Sequence, residues 1–272
     1  MTKKAMSLFG TARWTVALLF LLPAMSQMLA EEPIRIIGHR GGVVDEHHPE
    51  NSAGAVKEAI ARGYWMVEID LDEPKGGGIV VHHMSFLQDF GVNKQPSDMT
   101  MAEIRELTSP VDHSHPLAFS EYAALCKGKI QLMIDTKQAG HPKSYYESME
   151  KTLRDNGLLE NAFFIGTDET REYFKGKARI SIGVSELAKR LDAGEDLSKT
   201  YFLFDHGITL NERSVELAKR AGIPVVVSIN EFHYAYVHSP DPIAAAHADV
   251  DRARRLGVKY FQIDETYDKW LR

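Results

Sequence analysis

Apolar positions along the chain follow two alternating rhythms. Short runs rich in β-branched and aromatic residues read as buried strands, and longer stretches with apolar residues three and four apart read as amphipathic helices. The predicted strands are PIRIIGH, YWMVEIDL, KIQLMIDTK, AFFIG, ARISIG, YFLFDHG, PVVVSIN and VKYFQID. Helices are predicted at SAGAVKEAIARG, KSYYESMEKTLRDNG, ETREYFKG, SELAKRLDAG, NERSVELAKRAG and PIAAAHADVDRARRLG. Most of them close on glycine, the residue best suited to the left-handed cap. Strands alternating with helices imply a parallel sheet. Eight such units in 272 residues match a (β/α)8 barrel of the TIM type. A doubly wound open sheet is the rival architecture. Residues 84–117 interrupt the rhythm with a short capped helix in PSDMTMAEIREL. They read as a small insertion after the second strand, lying over the site end of the barrel.

The first segment stands apart from this pattern. Lys3, Lys4 and Arg13 precede an apolar stretch from Trp14 to Leu22, followed by Pro23 and the small residues Ala24 and Ser26. That is the three-part pattern of a secretory signal peptide, with an apolar run too short to span a bilayer comfortably. Cleavage is expected after Ser26 or Ala30, leaving 31–272 as one domain. The protein is then exported, periplasmic or extracellular, with no stable membrane anchor. Loss of three basic residues takes the net charge from -6 to -9, so no basic footprint points to nucleic acid. The single cysteine, Cys126, excludes an internal disulfide. It lies on an apolar helix face in SEYAALCKGK, where packing is its expected role.

Polar residues gather where the predicted strands end. His39 and Arg40 end the first, Glu68 and Asp70 the second, Asp135 and Lys137 the third. Asp205 and His206, Ser228 and Asn230, and Asp264 end later strands. Active sites of barrels form at strand C-termini, and residues two apart on a strand share a face. Glu68, Asp70 and Asp135 would therefore set three carboxylates on one rim, where they repel one another. One divalent cation, Ca2+ or Mg2+, resolves that repulsion, because hard cations take oxygen ligands. The cationic Arg40 and Lys137 beside them suggest an anionic substrate, with Arg40 gripping phosphate oxygens in a fork. Asp72 shares their parity but is expected past the strand end, in solvent. The glycines of HRGG suggest a backbone able to approach a ligand closely.

These residues resemble the motifs of the glycerophosphodiester phosphodiesterase family: GHRG at 38–41, PENS at 49–52, EID at 68–70, GGIVVHH at 77–83 and IDTK at 134–137. GIPVVVSIN and GVKYFQIDE resemble its later strands. The resemblance implies a metal-dependent phosphodiesterase on a TIM-type barrel, releasing glycerol phosphate and an alcohol. His39 and His83 would be the acid–base pair, and Glu68, Asp70 and Asp135 the metal ligands. Arg40 and Lys137 would hold the phosphate, while Glu50 and Asn51 shape the site. Small phosphodiesters or lysolipids would be the substrates. Counting from Glu68 as in the family selects His83 over His82, which should point into the insertion or solvent.

Three departures stand out. The family usually has Glu at Asp135, Asp at Met84, and a different hairpin where this chain has EPKGGG. A related group, the sphingomyelinase D phospholipases, shares the histidine pair and carboxylates. The DTK at 135–137 resembles its D-x-K setting, which implies a cyclic phosphate product as the alternative. Two other readings are a metal-stabilised binding protein that has lost catalysis and a surface interaction module with a relic site.

The remaining histidines carry weaker signals. His47 and His48 are expected in a loop near the site. His113 and His115 form an H-x-H pair that lacks a third zinc ligand. His206 is a candidate substrate contact, and His141, His233, His238 and His247 read as surface. Tyr64, Trp65 and Phe204 read as core.

Overall fold

The apolar runs form ten strands among the described residues, which are 1, 2 and 32–272 in this computed structural model. The predicted leader and its cleavage points lie outside the described residues. The strands are β1 (Arg35–Gly38), β2 (Met66–Asp72), β3 (Val80–Val81), β4 (Leu117–Ala118), β5 (Gln131–Thr136), β6 (Phe163–Phe164), β7 (Arg179–Ile182), β8 (Tyr201–His206), β9 (Val225–Ile229) and β10 (Tyr260–Ile263). Eight of them, all but β3 and β4, coincide with the eight predicted runs and pair in parallel around a ring. β1 pairs with β2 on one side and β10 on the other, which closes the sheet into a barrel and excludes the open one.

Strand parity divides the core into two layers. Inside the barrel, Ile37, Met66, Met133, Phe163, Phe202 and Val226 form one apolar plug. Phe163 stacks on Phe202 with ring centroids 4.5 Å apart, and Trp65 closes the base edge-on to Phe163. Outward-facing residues such as Val67, Ile69 and Leu71 pack under the surrounding helices with Cys126. Cys126 is thus a buried packing residue, and burial pushes its thiol up to about 12. The plug fills the lower lumen, so the polar residues further along β2, β5 and β9 can only occupy the upper rim.

Helices fall close to their predicted places: Ala53–Ala61, Lys143–Asp155, Asp168–Phe174, Val184–Asp192, Glu212–Ala221 and Pro242–Arg255. Side chains of Ser52, Thr167, Asn211 and Asp241 cap four of them by accepting from backbone N–H groups. Two of the described helices escape the sequence pattern, the short Leu87–Phe90 in the insertion and, directly after β9, Glu231–Tyr236. The run EFHYAY of the second lacks a buried stripe, since Phe232 and Tyr236 face outward.

The insertion leaves β2 through an antiparallel hairpin. Leu71 pairs with Val81 and Asp72 with Val80 across the turn that holds Gly76–Gly78. β4 then pairs with β3, and Val80, Phe86, Met99 and Ile104 form a small core of their own between them. Asp72 is therefore not solvated as expected. The hairpin prolongs β2 over it, leaving it 2% exposed and accepting hydrogen bonds from the Glu73 N–H and the Gln138 amide.

Candidate active site

The chain leaves β1 in a tight turn, His39–Gly41, with Arg40 in the left-handed region at φ 49° and ψ 50°. A non-glycine residue there is strained. The arrangement is held by Arg40, whose backbone N–H donates to Glu68 Oε2 at 2.9 Å and whose carbonyl accepts from Asn51 N–H at 2.7 Å. A Cβ on Gly41 would lie 2.6 Å from the Asn51 Cα, so the loop before helix Ala53–Ala61 can seat only against glycine. The close approach that Gly41 permits is to this chain's own backbone at Asn51.

Glu68, Asp70 and Asp135 meet at the rim because β2 and β5 run in register, with Asp70 directly opposite Asp135. One oxygen from each lies within 4.8 Å of the others. Lys137 Nζ bridges two of them, 2.6 Å from Asp70 Oδ1 and 2.6 Å from Asp135 Oδ2. Asn51 Nδ2 donates to Asp70 Oδ2 at 3.0 Å. Burial pushes Asp70 up, but the charges of Lys137 and His83 outweigh it and hold the carboxyl below its usual range. Glu68 is raised, by burial first and then by Asp70 beside it. Burial also raises Asp135 despite Lys137.

The two neighbouring histidines part ways after β3. The His82 N–H donates to the Asp70 carbonyl at 3.0 Å, which brings the hairpin end against the rim. The His82 ring turns into the insertion, stacked on Phe86 at 4.3 Å, with Nε2 3.2 Å from the Ser85 carbonyl. His83 faces the rim, its Nδ1 3.6 Å from Glu50 Oε1. Burial pulls its pKa down to about 4. Glu50 also accepts from Arg40 at 2.8 Å, and burial pushes its carboxyl up to about 7. Asp89 of the insertion adds to that rise, which brings the insertion's charge to this end of the barrel.

His39 is clamped from the far side of the barrel seam. Its Nδ1 lies 2.6 Å from Asp264 Oδ1, while Nε2 is 4.0 Å from Glu68 Oε2. Burial lowers the His39 pKa, but the Asp264 hydrogen bond and the Glu68 charge overcome it, and the ring sits above its ordinary value. Asp264 was legible only as a strand-end acid. Its same-face neighbour on β10, the buried Gln262, was the available signal, since Gln262 also lines the site.

Much of this rim opens into one cavity of about 700 Å3, which the buried Asp70 does not line. His39, Arg40, Glu68, His83, Asp135 and Lys137 form its charged side. Phe204 and Ile165 line its inner apolar side, so Phe204 is not simply core. His206 lines the cavity too, with His233 against it at 4.3 Å between ring centroids. His233 is a half-buried lining residue rather than a surface one, and burial lowers its pKa to about 4. His141 is not a surface residue either, although it lies away from this cavity: its ring stacks on Tyr145 and its Nδ1 is 2.6 Å from Glu73. His47 and His48 do not line the cavity, and His48 turns to Asp45 at 2.8 Å. His115 binds the Leu107 carbonyl at 2.6 Å. Among the described residues, Glu68, Asp70 and Asp135 are the one group of three that could hold a metal ion.

A closed parallel barrel with carboxylates, lysine, arginine and histidines on its strand-end rim defines an enzyme of the TIM-barrel class acting on an anionic ester. The sequence matches the model of the glycerophosphoryl diester phosphodiesterase family over residues 39–261, and the chain belongs to that family. It is a phosphodiesterase, which sets aside the readings as a binding protein or relic module. No curated protein matches the chain. Among solved structures it is similar to a glycerophosphodiester phosphodiesterase from Parabacteroides distasonis, 18% identical, covering 88% of this chain and 98% of that one with a TM-score of 0.67. The enzyme of that name from Thermotoga maritima is 19% identical over 88% and 98%, with a TM-score of 0.61. A phosphodiesterase from Oleispira antarctica, in complex with its product sn-glycerol-3-phosphate, is 16% identical over 87% and 96%, with a TM-score of 0.68.

Proposed function

We propose that the protein hydrolyses glycerophosphodiesters to glycerol phosphate and an alcohol, using one divalent cation and the pair His39 and His83. The observation that carries the reading is the meeting of three carboxylates, two histidines and two cationic side chains at one rim, all but the buried Asp70 lining a single cavity. The carboxylates suit the cation. Oxygens bound to one Ca2+ at about 2.3–2.6 Å can be ~5 Å apart, and these lie within 4.8 Å of one another; the shorter bonds of Mg2+, about 2.0–2.1 Å, bring its ligand oxygens to within ~4 Å. Glu68, Asp70 and Asp135 would hold it, and all three offer the hard oxygen donors that Ca2+ and Mg2+ prefer. Bound there, the ion supplies neutralising charge to phosphoryl oxygens and lowers the pKa of a coordinated hydroxyl.

The chain's own groups do the rest. Arg40 and Lys137 attract and orient the phosphate. Asp264 occupies Nδ1 of His39 and leaves Nε2 to exchange a proton in the cavity. His83 reaches the same rim from the end of the β3 hairpin, so one ring takes a proton and the other returns one to the leaving oxygen. Glu50 spans Arg40 and His83, and Asn51 spans Arg40 and Asp70, so both shape the site. The complex of the Oleispira phosphodiesterase with sn-glycerol-3-phosphate supports a small phosphodiester as substrate here.

Mass spectrometry of products from glycerophosphocholine, with metal-stripped enzyme and then with Ca2+ or Mg2+ restored, tests the reading. Glycerol phosphate appearing only with metal is the expected result. Full turnover without metal, or a cyclic phosphate product, contradicts it. On the N-terminal pattern we further propose export beyond the cytoplasm. A mature N-terminus at Gln27 or Glu31 in periplasm or medium is the expected finding.

A further inference from the structure

The charged side of the cavity faces a mouth of a different character. Five bulky apolar side chains line it while standing exposed to solvent: Met84, Ile208, Phe232, Tyr236 and Val237. Met84 is 61% exposed, Phe232 56% and Tyr236 78%. They come from three separate places: the end of the β3 hairpin, the loop after β8, and the helix Glu231–Tyr236 with the residue that follows it. Their convergence on one cavity is not the scatter of single apolar residues that ordinary surfaces show. Further in, Ile165 and Phe204 continue the apolar surface down to the barrel plug. Met84 stands where the resembled family usually has an aspartate, so at that position a charge has given way to a thioether.

A substrate whose two ester arms are both polar gains nothing from this wall. A cavity of about 700 Å3 is also far larger than one glycerol phosphate requires. We infer that the substrate class is a lysophospholipid, a phosphodiester whose glycerol arm carries a single acyl chain. The inference rests on the phosphodiesterase reading above. The phosphate sits between Arg40 and Lys137, and the chain runs out along Phe204, Ile208 and Phe232. The chemistry is the same hydrolysis. Water's oxygen bonds to phosphorus and the bond from phosphorus to the head-group oxygen breaks. The departing oxygen takes a proton, leaving a monoacylglycerol phosphate and the free alcohol.

Chain length is the discriminating variable. A series of glycerophosphocholine and its acyl derivatives of increasing length, each below its micelle concentration, is assayed for kcat/KM at saturating metal. Burial of each added methylene is worth roughly two- to fourfold in kcat/KM over the first several carbons. The double substitution Phe232→Ser with Tyr236→Ser should flatten that slope, and circular dichroism verifies that the variant folds. A flat slope in the wild type, with glycerophosphocholine turned over well, overturns the acyl assignment and leaves the phosphodiesterase reading standing. A length effect appearing only above the micelle concentration, with the protein sedimenting on phosphatidylcholine vesicles, also overturns it and makes the mouth a lipid-surface contact. No turnover of any diester removes the phosphodiesterase reading itself, and the acyl assignment with it.

Discussion

His39 and Asp264 stand 225 residues apart in sequence and 2.6 Å apart in space, Nδ1 to Oδ1. Closure of the barrel makes this pairing, because β1 lies beside β10 and both end at the same rim. A carboxylate only accepts, so the Nδ1 proton belongs to His39 in this contact. Asp264 is itself fixed by the Glu231 N–H at 2.6 Å and the Asn230 amide at 3.4 Å. The ring orientation is therefore set by three strand ends acting together.

Asp264→Asn should lower kcat by about 10- to 100-fold, part of the range a positioned acid–base group supplies. Cation affinity should stay as in the wild type, since Asp264 lies outside the carboxylate cluster. Steady-state kinetics beside calorimetric metal titration gives both numbers. An unchanged kcat would leave Asp264 only as an anchor for the helix that begins at Glu231.

The barrel was legible because each strand is an apolar run closed by a helix signal, and parity placed Glu68, Asp70 and Asp135 on one face. What sequence could not supply was distance across the ring. Asp264 reads as one more strand-end acid until β10 is known to touch β1. His233 and Phe232 were unreadable for another reason: EFHYAY shows no buried stripe, so neither its helix nor its place at the cavity mouth has a pattern. Asp72 was misplaced because the hairpin prolongs β2 beyond the point where a barrel strand usually stops.

Lys137 holds the position between two carboxylates that a cation also requires. Removing its charge leaves the rim more negative. Lys137→Met should therefore tighten Ca2+ or Mg2+ binding, by about tenfold for one partly screened charge at this range. It should raise KM for the diester, because one phosphate contact is lost. Weaker metal binding in the variant would mean that Lys137 organises the carboxylates instead of competing for them.

His82 offers a pH signature free of turnover. Burial lowers its pKa to about 4, against an ordinary value near 6.5. Above that ordinary value the ring is neutral folded and unfolded, and its burial costs nothing extra. As pH falls below it, the unfolded chain binds the proton first, so stability drops until the folded ring titrates near 4. His82→Phe keeps the stacking on Phe86 and the edge-on contact with Phe90 but has no proton to bind. Its Tm should fall less steeply than the wild type's between pH 6.5 and 4. Parallel Tm curves would place the acid sensitivity in other groups.

His83 is the partner that should fail under kinetic test. The turn at Gly76–Gly78 folds the chain back so that Val81 pairs with Leu71, and the next two side chains must face opposite ways. His82 meets Phe86, while His83 meets Glu50 and the cavity. His83→Ala should cost at least about a hundredfold in kcat, the lower end of what positioned proton transfer supplies. Metal affinity should be spared, because His83 is outside the carboxylate cluster. His82→Ala should cost only a few-fold in kcat and show its effect as a lower Tm, since it opens a void against Phe86. The measurement is kcat for both variants on one diester at saturating metal, beside their melting curves. A crippled His82→Ala with an active His83→Ala would reverse the two roles, and the hairpin would have to present its other face to the substrate.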